Sequence, residues 1–165
     1  RRVLFRSMTG AKLVESMLYG ARLDGAELSR ANLGEAMLGA ARLVRAKLEG
    51  ADLRGADIRR ARLDEANMTG ADLTGAALDF ALMRRARLAG ATLAGARLMG
   101  GDFVETSFAG ADLSRVAATG ANFRAGDFTG ARLLDADLRK TILTEARLEG
   151  ARLTGARMPD GSVGE

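Results

Sequence analysis

Carboxylates, hydroxyls and a few lysines are the side chains of this 165-residue chain that could take part in acid–base or nucleophilic chemistry. The sequence contains no histidine and no cysteine, so it lacks the usual near-neutral base, the thiolate nucleophile and the commonest zinc ligands. Two close carboxylate pairs, Asp64 with Glu65 and Asp135 with Asp137, come nearest to a general acid–base motif. A chain with 21 acidic residues at regular spacing produces such pairs by chance. We therefore predict no catalytic residue, no cofactor, no metal site and no enzymatic activity.

The charge is mixed along the whole chain. The 25 basic and 21 acidic residues give a formal net charge of +4 and are interleaved in both halves. Interleaved acids weaken the field that would attract phosphates, and few aromatic side chains are available for stacking, so nucleic-acid binding is not expected. No apolar run of about 18 residues exists, so no membrane span is predicted. We expect a soluble protein, with the cytoplasm as the default compartment.

The spacing of large apolar residues is the main structural signal. One stands at every fifth position from Val3 to Met158, and Ala118 is the small exception among the thirty-two such positions. On an α-helix, five residues advance about 500°, so these side chains would spiral over every face. On a flat strand, an odd spacing would send successive residues to opposite faces. The pattern instead predicts one short extended stretch and one bend in each pentapeptide.

The last position of the pentapeptide supports the bend. It is glycine in fifteen of thirty-two repeats, for example at Gly50 and Gly70, and glycine tolerates the positive φ that tight turns often require. Repeating one bend of fixed hand coils the chain into a solenoid with an apolar interior. We expect an all-β solenoid over residues 1–160, followed after Pro159 by a polar tail at residues 161–165. Because residues 1–5, Arg-Arg-Val-Leu-Phe, are already in the repeat register and the sequence does not begin with methionine, we expect the chain to be a fragment or a processed form.

The repeats resemble a known family. Residues 51–55 read Ala-Asp-Leu-Arg-Gly, residues 71–75 read Ala-Asp-Leu-Thr-Gly and residues 31–35 read Ala-Asn-Leu-Gly-Glu. These pentapeptides are similar to the A(D/N)LXX consensus of the pentapeptide-repeat family, and the resemblance covers residues 1–160. It implies a right-handed quadrilateral β-helix with four pentapeptides in each coil, and hence about eight coils.

The irregular repeats are interpreted as volume compensation in the core. Phe103 and Phe128 each follow a glycine, Gly101 and Gly126, at the inward position that is usually alanine. With four repeats per coil, Phe108 lies opposite the small Ala118. The four phenylalanines are expected to form two neighbouring ladders that pack in the core and bind no ligand; they are Phe103, Phe108, Phe123 and Phe128.

Four repeats per coil also predict a surface map. One wall carries a ladder of like charges that could contact an anionic partner, formed by Arg22, Arg42 and Arg62. The alternative is charge pairing with the nearby acids Asp24, Asp64 and Glu65. The second position of the family consensus, which is aspartate or asparagine, falls on another wall at Asn32, Asp52, Asp72 and Asp112. We interpret these side chains as structural.

A broken apolar strip along one edge of the rod is the best predicted interface. Outward positions do not require apolar residues, yet seven of them form our predicted partner interface: Met17, Tyr19, Met37, Val44, Phe80, Leu82 and Met99. The neighbouring Leu4, Phe5, Val104 and Ile142 extend the strip. Arg59 and Arg60 interrupt it, and scattered exposed apolar residues are also normal on a protein surface.

These features predict a non-enzymatic scaffold that binds a protein partner, with self-association through the apolar edge or a coil end as a further expectation. One alternative is a topoisomerase-binding protein of the quinolone-resistance type, which acts on DNA gyrase. The basic net charge and the unbroken repeat register argue against it, because mimicry of DNA requires a negative surface. A second alternative is a structural spacer within a larger polypeptide.

Overall fold

The computed structural model describes residues 7–165, and its basic unit is the pentapeptide. In each repeat the second residue forms an isolated β-bridge, and the fourth and fifth residues form a turn, so no helix and no longer strand occurs in this part of the chain. Every bridge between coils is parallel and joins residues twenty apart, from Lys12 with Asn32 to Asp137 with Arg157. One coil therefore contains four pentapeptides, and the coil has four sides.

Four walls follow from this register. Each wall is defined by the second-position residues that bridge along it. Wall 1 carries Arg22, Arg42, Arg62, Leu82, Asp102, Asn122 and Ile142; wall 2 carries Glu27, Lys47, Asn67, Arg87, Ser107, Asp127 and Arg147; wall 3 carries Lys12, Asn32, Asp52, Asp72, Thr92, Asp112, Arg132 and Arg152; wall 4 carries Met17, Met37, Asp57, Ala77, Arg97, Ala117, Asp137 and Arg157.

Backbone hydrogen bonds hold each coil to the next. On wall 3, the Leu53 N–H donates to the Asp72 carbonyl at 2.7 Å, and the Asp72 N–H donates to the Ala51 carbonyl at 2.9 Å. The Gly55 N–H donates to the Thr74 carbonyl at 3.0 Å, which ties the corner to the coil above. The same pattern recurs on each wall, so the backbone polar groups of interior coils are satisfied without long strands.

The corner has the same backbone conformation whether or not it contains glycine. The Ala56 N–H donates to the Leu53 carbonyl at 3.1 Å and closes a turn between two walls. The fifth residue of every repeat from Gly10 to Gly155 has a positive φ, including Glu35 at 55° and Arg60 at 58°. A type II turn requires this conformation at its third residue. Glycine is therefore the residue that adopts the corner conformation with the least strain, but the stacking of the coils holds other residues in the same turn.

The interior is filled by the first and third residues of each repeat. From Ala26 to Leu98 these residues are alanine, leucine, isoleucine or methionine with at most 1% of their surface exposed. The phenylalanine prediction is confirmed: Phe103 stacks on Phe123 with ring centroids 5.1 Å apart, and Phe108 stacks on Phe128 at 5.0 Å. Two ladders of rings thus run through the later coils.

The predicted volume compensation is also confirmed. A Cβ added at Gly101 would overlap the ring of Phe103, and one added at Gly126 would lie 3.1 Å from Cε2 of Phe128. The missing methyl groups therefore provide the space that the larger rings occupy.

The last residues fold back on wall 4. Val163 forms an antiparallel bridge with Arg157, the Met158 N–H donates to the Ser162 carbonyl at 2.8 Å, and the Gly164 N–H donates to the Ala156 carbonyl at 2.7 Å. A Cβ at Gly164 would overlap the Leu153 backbone, so the hook requires a residue without a side chain. No helix within residues 7–165 has the length and apolar character needed to cross a bilayer.

Candidate functional site

Most outward carboxylates and amides have a structural task at the turns. On wall 3, Oδ1 of Asn32 and of Asp52 each accepts the backbone N–H two residues later at 3.1 Å. The same contact occurs at Asp72 with Thr74, at 3.0 Å, and at Asp112 with Ser114, at 2.9 Å. These side chains satisfy a donor that would otherwise face solvent at the corner, which accords with the structural interpretation of this position.

An arginine two residues after the aspartate strengthens the turn. Asp52 accepts two hydrogen bonds from the Arg54 guanidinium, at 2.8 and 2.6 Å. Asp137 is bound in the same way by Arg139, at 2.8 and 2.6 Å. In both cases the hydrogen bond from the arginine is the main cause that holds the pKa of the carboxyl below its ordinary value. Both aspartates therefore stay ionised in mildly acidic solution.

Three of the four carboxylates in the two pairs noted in the sequence bind separate partners: Asp64, Glu65 and Asp137. Asp64 accepts the Arg84 backbone N–H at 3.3 Å and lies 3.5 Å from Arg62, whereas Glu65 pairs with Arg45 at 2.8 Å. Asp137 is likewise occupied by Arg139. Within residues 7–165, no group of three or more histidine, cysteine, aspartate or glutamate residues is arranged to hold a metal ion.

The arginine ladder on wall 1 is in register as predicted. Arg22, Arg42 and Arg62 bridge one another in successive coils. Arg42 pairs with Asp24 at 3.0 Å, and Arg62 lies 3.5 Å from Asp64. Acids from the same wall thus accompany two of the three arginines, and only part of the ladder's charge is available to an anionic partner.

Wall 4 presents the largest exposed apolar side chains. Met17 is 80% exposed and Tyr19 75%, and Met37 bridges directly to Met17 in the next coil. Phe80 is 56% exposed and stands at the corner between walls 4 and 1. These side chains, together with the exposed Met99 and Leu82, form what we term the apolar edge: Met17, Tyr19, Met37, Phe80, Leu82 and Met99.

The remaining members of the predicted strip lie apart from this edge. Val44 is half-buried on wall 1, where it borders a groove lined mainly by charged residues, among them Arg62 and Arg84. Val104 borders the same groove. Leu4 and Phe5 lie outside the described residues. The structure therefore places Met17, Tyr19 and Met37 in adjoining early coils of wall 4, places Phe80 and Met99 in later coils of the same wall, and separates Val44 from both groups.

Two glycines that the sequence analysis did not single out shape the apolar edge. A Cβ at Gly39 would lie 3.0 Å from Cδ2 of Tyr19, and one at Gly100 would lie 2.7 Å from Cε1 of Phe80. Each aromatic ring therefore lies flat over a glycine of the following coil. The sequence contains the signal as a glycine twenty residues after an outward aromatic, but recognising it requires the coil length to be known.

A shallow groove of about 390 Å³ links the two aromatic rings. Tyr19, Phe80 and Met99 contribute its apolar lining. Its charged lining is partly neutralised, because Arg59 pairs with Asp57 at 2.7 Å and Arg97 pairs with Asp79 at 2.6 Å. Arg60 instead places its guanidinium carbon 6.0 Å from the centroid of the Phe80 ring, which is the outer range of a cation–π contact.

Comparison with known proteins identifies the repeats. The family model for pentapeptide repeats matches residues 7–43, 41–79, 66–103, 86–124 and 121–158. No curated protein sequence gives a significant match to the chain.

Solved structures with similar chains are pentapeptide repeat proteins. HetL from the cyanobacterium Nostoc sp. strain PCC 7120, a protein involved in heterocyst differentiation regulation, is 31% identical over 94% of this chain and 75% of its own, with a TM-score of 0.49. A thylakoid-lumen protein from Arabidopsis thaliana is 30% identical over 53% of this chain and 61% of its own, with a TM-score of 0.52.

A trypsin-treated form of QnrB1, a plasmid-mediated fluoroquinolone resistance protein, has a TM-score of 0.63. It is 20% identical over 77% of this chain and 64% of its own. At this identity the likeness concerns the fold alone.

Proposed function

The chain belongs to the pentapeptide-repeat family, and from this premise we propose that it is a non-enzymatic scaffold that binds a protein partner along its apolar edge. We further infer that residues 1–160 form one right-handed quadrilateral β-helix of about eight coils, with residues 161–165 as a C-terminal tail. The four-sided coil of twenty residues and the family membership support this architecture.

The filled interior supports a role without catalysis. The first and third positions of successive coils pack against one another, and residues such as Leu28, Leu48 and Leu88 have no exposed surface. Within residues 7–165, a solenoid closed in this way leaves shallow grooves on its walls and no deep apolar pocket of the kind that usually holds a substrate. Many outward carboxylates, such as Asp52, Asp57 and Asp137, are also bound to turns and arginines, which leaves them poorly placed for proton transfer.

The observation that carries the proposal is the apolar edge itself. Outward positions of the repeat face water and accept any residue, but Met17, Tyr19 and Phe80 expose large apolar surfaces there. Exposed apolar patches on a protein surface commonly mark interaction sites, and this edge has two of them, one at Met17, Tyr19 and Met37 and one at Phe80 and Met99, on either side of Arg59 and Arg60. Tyrosine, phenylalanine and methionine are also enriched in protein–protein interfaces. Gly39 and Gly100 leave the space that the two rings occupy against the following coil.

The arginine ladder is the weaker interaction surface. An anionic partner would have to compete with Asp24 for Arg42 and with Asp64 for Arg62. Exposed ion pairs of this kind contribute at most about 1 kcal/mol each, so the competition is feasible but reduces the gain in binding.

Affinity capture with matched baits tests the proposal. The wild-type chain is compared with a triple variant, Met17→Gln, Tyr19→Ser and Phe80→Ser, and with a control variant, Val14→Ser and Ile142→Ser. The control residues are also exposed, at 49% and 48%, but Val14 lies on wall 3, and Ile142, which the sequence placed beside the strip, lies on wall 1 three coils beyond Leu82. We expect partners retained by the wild type and the control to be lost from the triple variant, as identified by mass spectrometry.

Other outcomes distinguish the alternatives. Retention of topoisomerase subunits, with altered supercoiling by the purified chain, would favour the topoisomerase-binding alternative. Equal retention of all partners by the three baits would contradict a role for the apolar edge. No retained protein would favour a structural spacer.

A further inference from the structure

We propose that the groove on wall 4 binds an extended acidic segment of the protein partner. In this segment a carboxylate side chain has one apolar side chain two residues before it and another two residues after it. The inference rests on the proposed function, because it names the chemistry of the partner that occupies the apolar edge. It is carried by Arg60, which lies between the two apolar patches of that edge and lines the groove.

The charges that line the groove leave one positive charge unbalanced. Asp57 accepts two hydrogen bonds from Arg59, at 2.8 and 2.7 Å. Asp79 accepts one from Arg97 at 2.6 Å, and its side chain is only 6% exposed. Arg60 is exposed and forms no ion pair with any residue of the described range 7–165. Three arginines against two aspartates give the lining a net charge of +1.

A carboxylate of the partner is the group that fits this charge. Guanidinium groups bind carboxylates through paired N–H donors. The Arg60 guanidinium carbon lies 6.0 Å from the centroid of the Phe80 ring, which is 56% exposed. This contact leaves the charge of Arg60 in place, because the ring has no net charge. The site therefore favours an acidic residue that has an apolar neighbour on the same face of the segment.

The spacing of the two patches matches an extended segment. Tyr19 lies three coils before Phe80, which corresponds to about 14 Å at a strand spacing of about 4.8 Å. Both rings lean over the following coil, towards Gly39 and Gly100, so this spacing is kept. In an extended chain, side chains at positions i, i+2 and i+4 share one face, and the outer two are about 13 Å apart. One such segment reaches both patches, and its central residue lies within reach of Arg60.

The surface between the two rings has room for the backbone of this segment. Gly39 and Ala40 line the groove there, and they have little or no side chain. At the other end, Met99 is 42% exposed and lines the groove together with Phe80. The segment thus finds apolar contacts at both ends of the groove and an unbalanced positive charge between them.

Peptide selection tests the charge at the centre of the segment. A phage-displayed library of random heptapeptides is selected on the purified chain, on Arg60→Glu and on Lys140→Glu. Lys140 is the matched control, because it is an exposed basic residue at the same corner four coils later. We expect the wild type and Lys140→Glu to enrich peptides with aspartate or glutamate between two apolar residues, each two positions away. Arg60→Glu should instead enrich lysine or arginine at the central position, because like charges repel.

Fluorescence anisotropy with one labelled peptide from the wild-type selection measures the size of the effect. We expect Arg60→Glu to raise the dissociation constant about tenfold, because an attractive contact becomes repulsive. Lys140→Glu should leave it unchanged. Replacing the peptide's acid by its amide should weaken binding to the wild type but not to Arg60→Glu. An equal loss with both chains would contradict a contact between the acid and Arg60.

The remaining outcomes separate this inference from the proposed function. An apolar motif without an acid, enriched equally by the wild type and Arg60→Glu, would overturn the acidic segment while still supporting the apolar edge as a binding surface. Absence of any enriched motif would overturn the peptide site, whereas loss of captured proteins from the triple variant would still support the proposed function. A dimer of the purified chain that the triple variant abolishes, as measured by sedimentation, would make a second copy the occupant and overturn the acidic segment.

Discussion

Walls 3 and 4 are built from the same repeat, but their outward residues differ in what the fold requires of them. On wall 3, Asn32, Asp52 and Asp72 each accept a backbone N–H at the adjoining turn. At the equivalent positions of wall 4, Met17 and Met37 cannot accept such a bond and remain exposed. The fold therefore explains the wall 3 residues and leaves those of wall 4 without a structural task. In a regular solenoid, such departures are the best guide to an interaction surface.

The difference is local to the early coils and the adjoining corner. Further along wall 4, Asp57 and Asp137 bind Arg59 and Arg139 in the same way as Asp52 binds Arg54 on wall 3. Both walls can thus form the polar turn. At Met17 and Met37 an apolar side chain stands where the aspartates accept the backbone N–H of the turn, so this contact is not made there. Tyr19 lies over Gly39 in the same region.

The largest effect on the free energy of unfolding is expected from a substitution in the interior behind both walls. Phe108 is fully buried and stacks on Phe128 at 5.0 Å. We expect Phe108→Ala to lower the free energy of unfolding by about 3–5 kcal/mol, because it removes a buried ring and leaves a cavity. Urea denaturation followed by circular dichroism measures the change. Phe108→Leu should cost less, and equal stability of Phe108→Ala and wild type would contradict a packed core.

The turn contact on wall 3 should have an intermediate effect. We expect Asp52→Ala to lower the free energy of unfolding by about 1 kcal/mol, because the Arg54 backbone N–H and the guanidinium lose their acceptor. Asp52→Asn is the matched control, since the amide oxygen keeps the backbone contact that Asn32 makes on the same wall. If both variants lost equal stability, the charge pair with Arg54 and not the turn contact would be responsible.

Acid should weaken both walls to a similar degree. Hydrogen bonds from Arg54, Arg59 and Arg139 are the main causes that lower the pKa of Asp52, Asp57 and Asp137. A lowered pKa in the folded state contributes stability that is present above the unfolded value, about 4, and is lost as the pH falls below it. We expect unfolding free energies to decrease between about pH 4 and pH 2.

The matched variant for this measurement carries asparagine at all three aspartates. Its stability should depend less steeply on pH over the same range, because the titrating groups are gone. Parallel curves for the variant and the wild type would show that other carboxylates control the acid response.

The smallest effect on folding is expected at the apolar edge. Tyr19→Ser should change the free energy of unfolding by less than about 0.5 kcal/mol, because the ring is 75% exposed. The same variant should weaken binding of the selected peptide to the groove on wall 4. Thermal denaturation gives the first quantity and fluorescence anisotropy the second. A large loss of folding stability would mean that the ring over Gly39 has a structural role after all.

The interior could be predicted from the sequence because its signal is local. A large apolar residue at every fifth position and an alanine two residues before it identify the buried residues, and the pairing of Phe103 with Gly101 identifies the compensation in volume. The spacing alone does not reveal that four repeats complete one coil. That number entered through the resemblance to the pentapeptide-repeat family, and the bridges between residues twenty apart agree with it.

The surface was less predictable because its contacts join residues twenty positions apart. Glycine at the fifth position predicts the positive φ of the corner in about half of the repeats. Glu35 and Arg60 are not glycine, yet they have the same positive φ. The sequence groups Val44 with the predicted apolar strip, but in the structure Val44 borders a charged groove on wall 1. The sequence analysis does not predict the aromatic rings over Gly39 and Gly100. Predicting them requires knowing which residue of the preceding coil lies next to each glycine.

Site-specific photo-crosslinking tests most directly whether the apolar edge is the binding surface. A photoreactive residue is placed at Phe80 on the edge or, as the control, at Val14 on wall 3, which is similarly exposed at 56% and 49%. Irradiation in source-cell lysate, followed by electrophoresis and mass spectrometry, identifies the adducts. The account predicts discrete protein adducts from Phe80 and none from Val14. Adducts from Val14 alone, or none from Phe80, would contradict it.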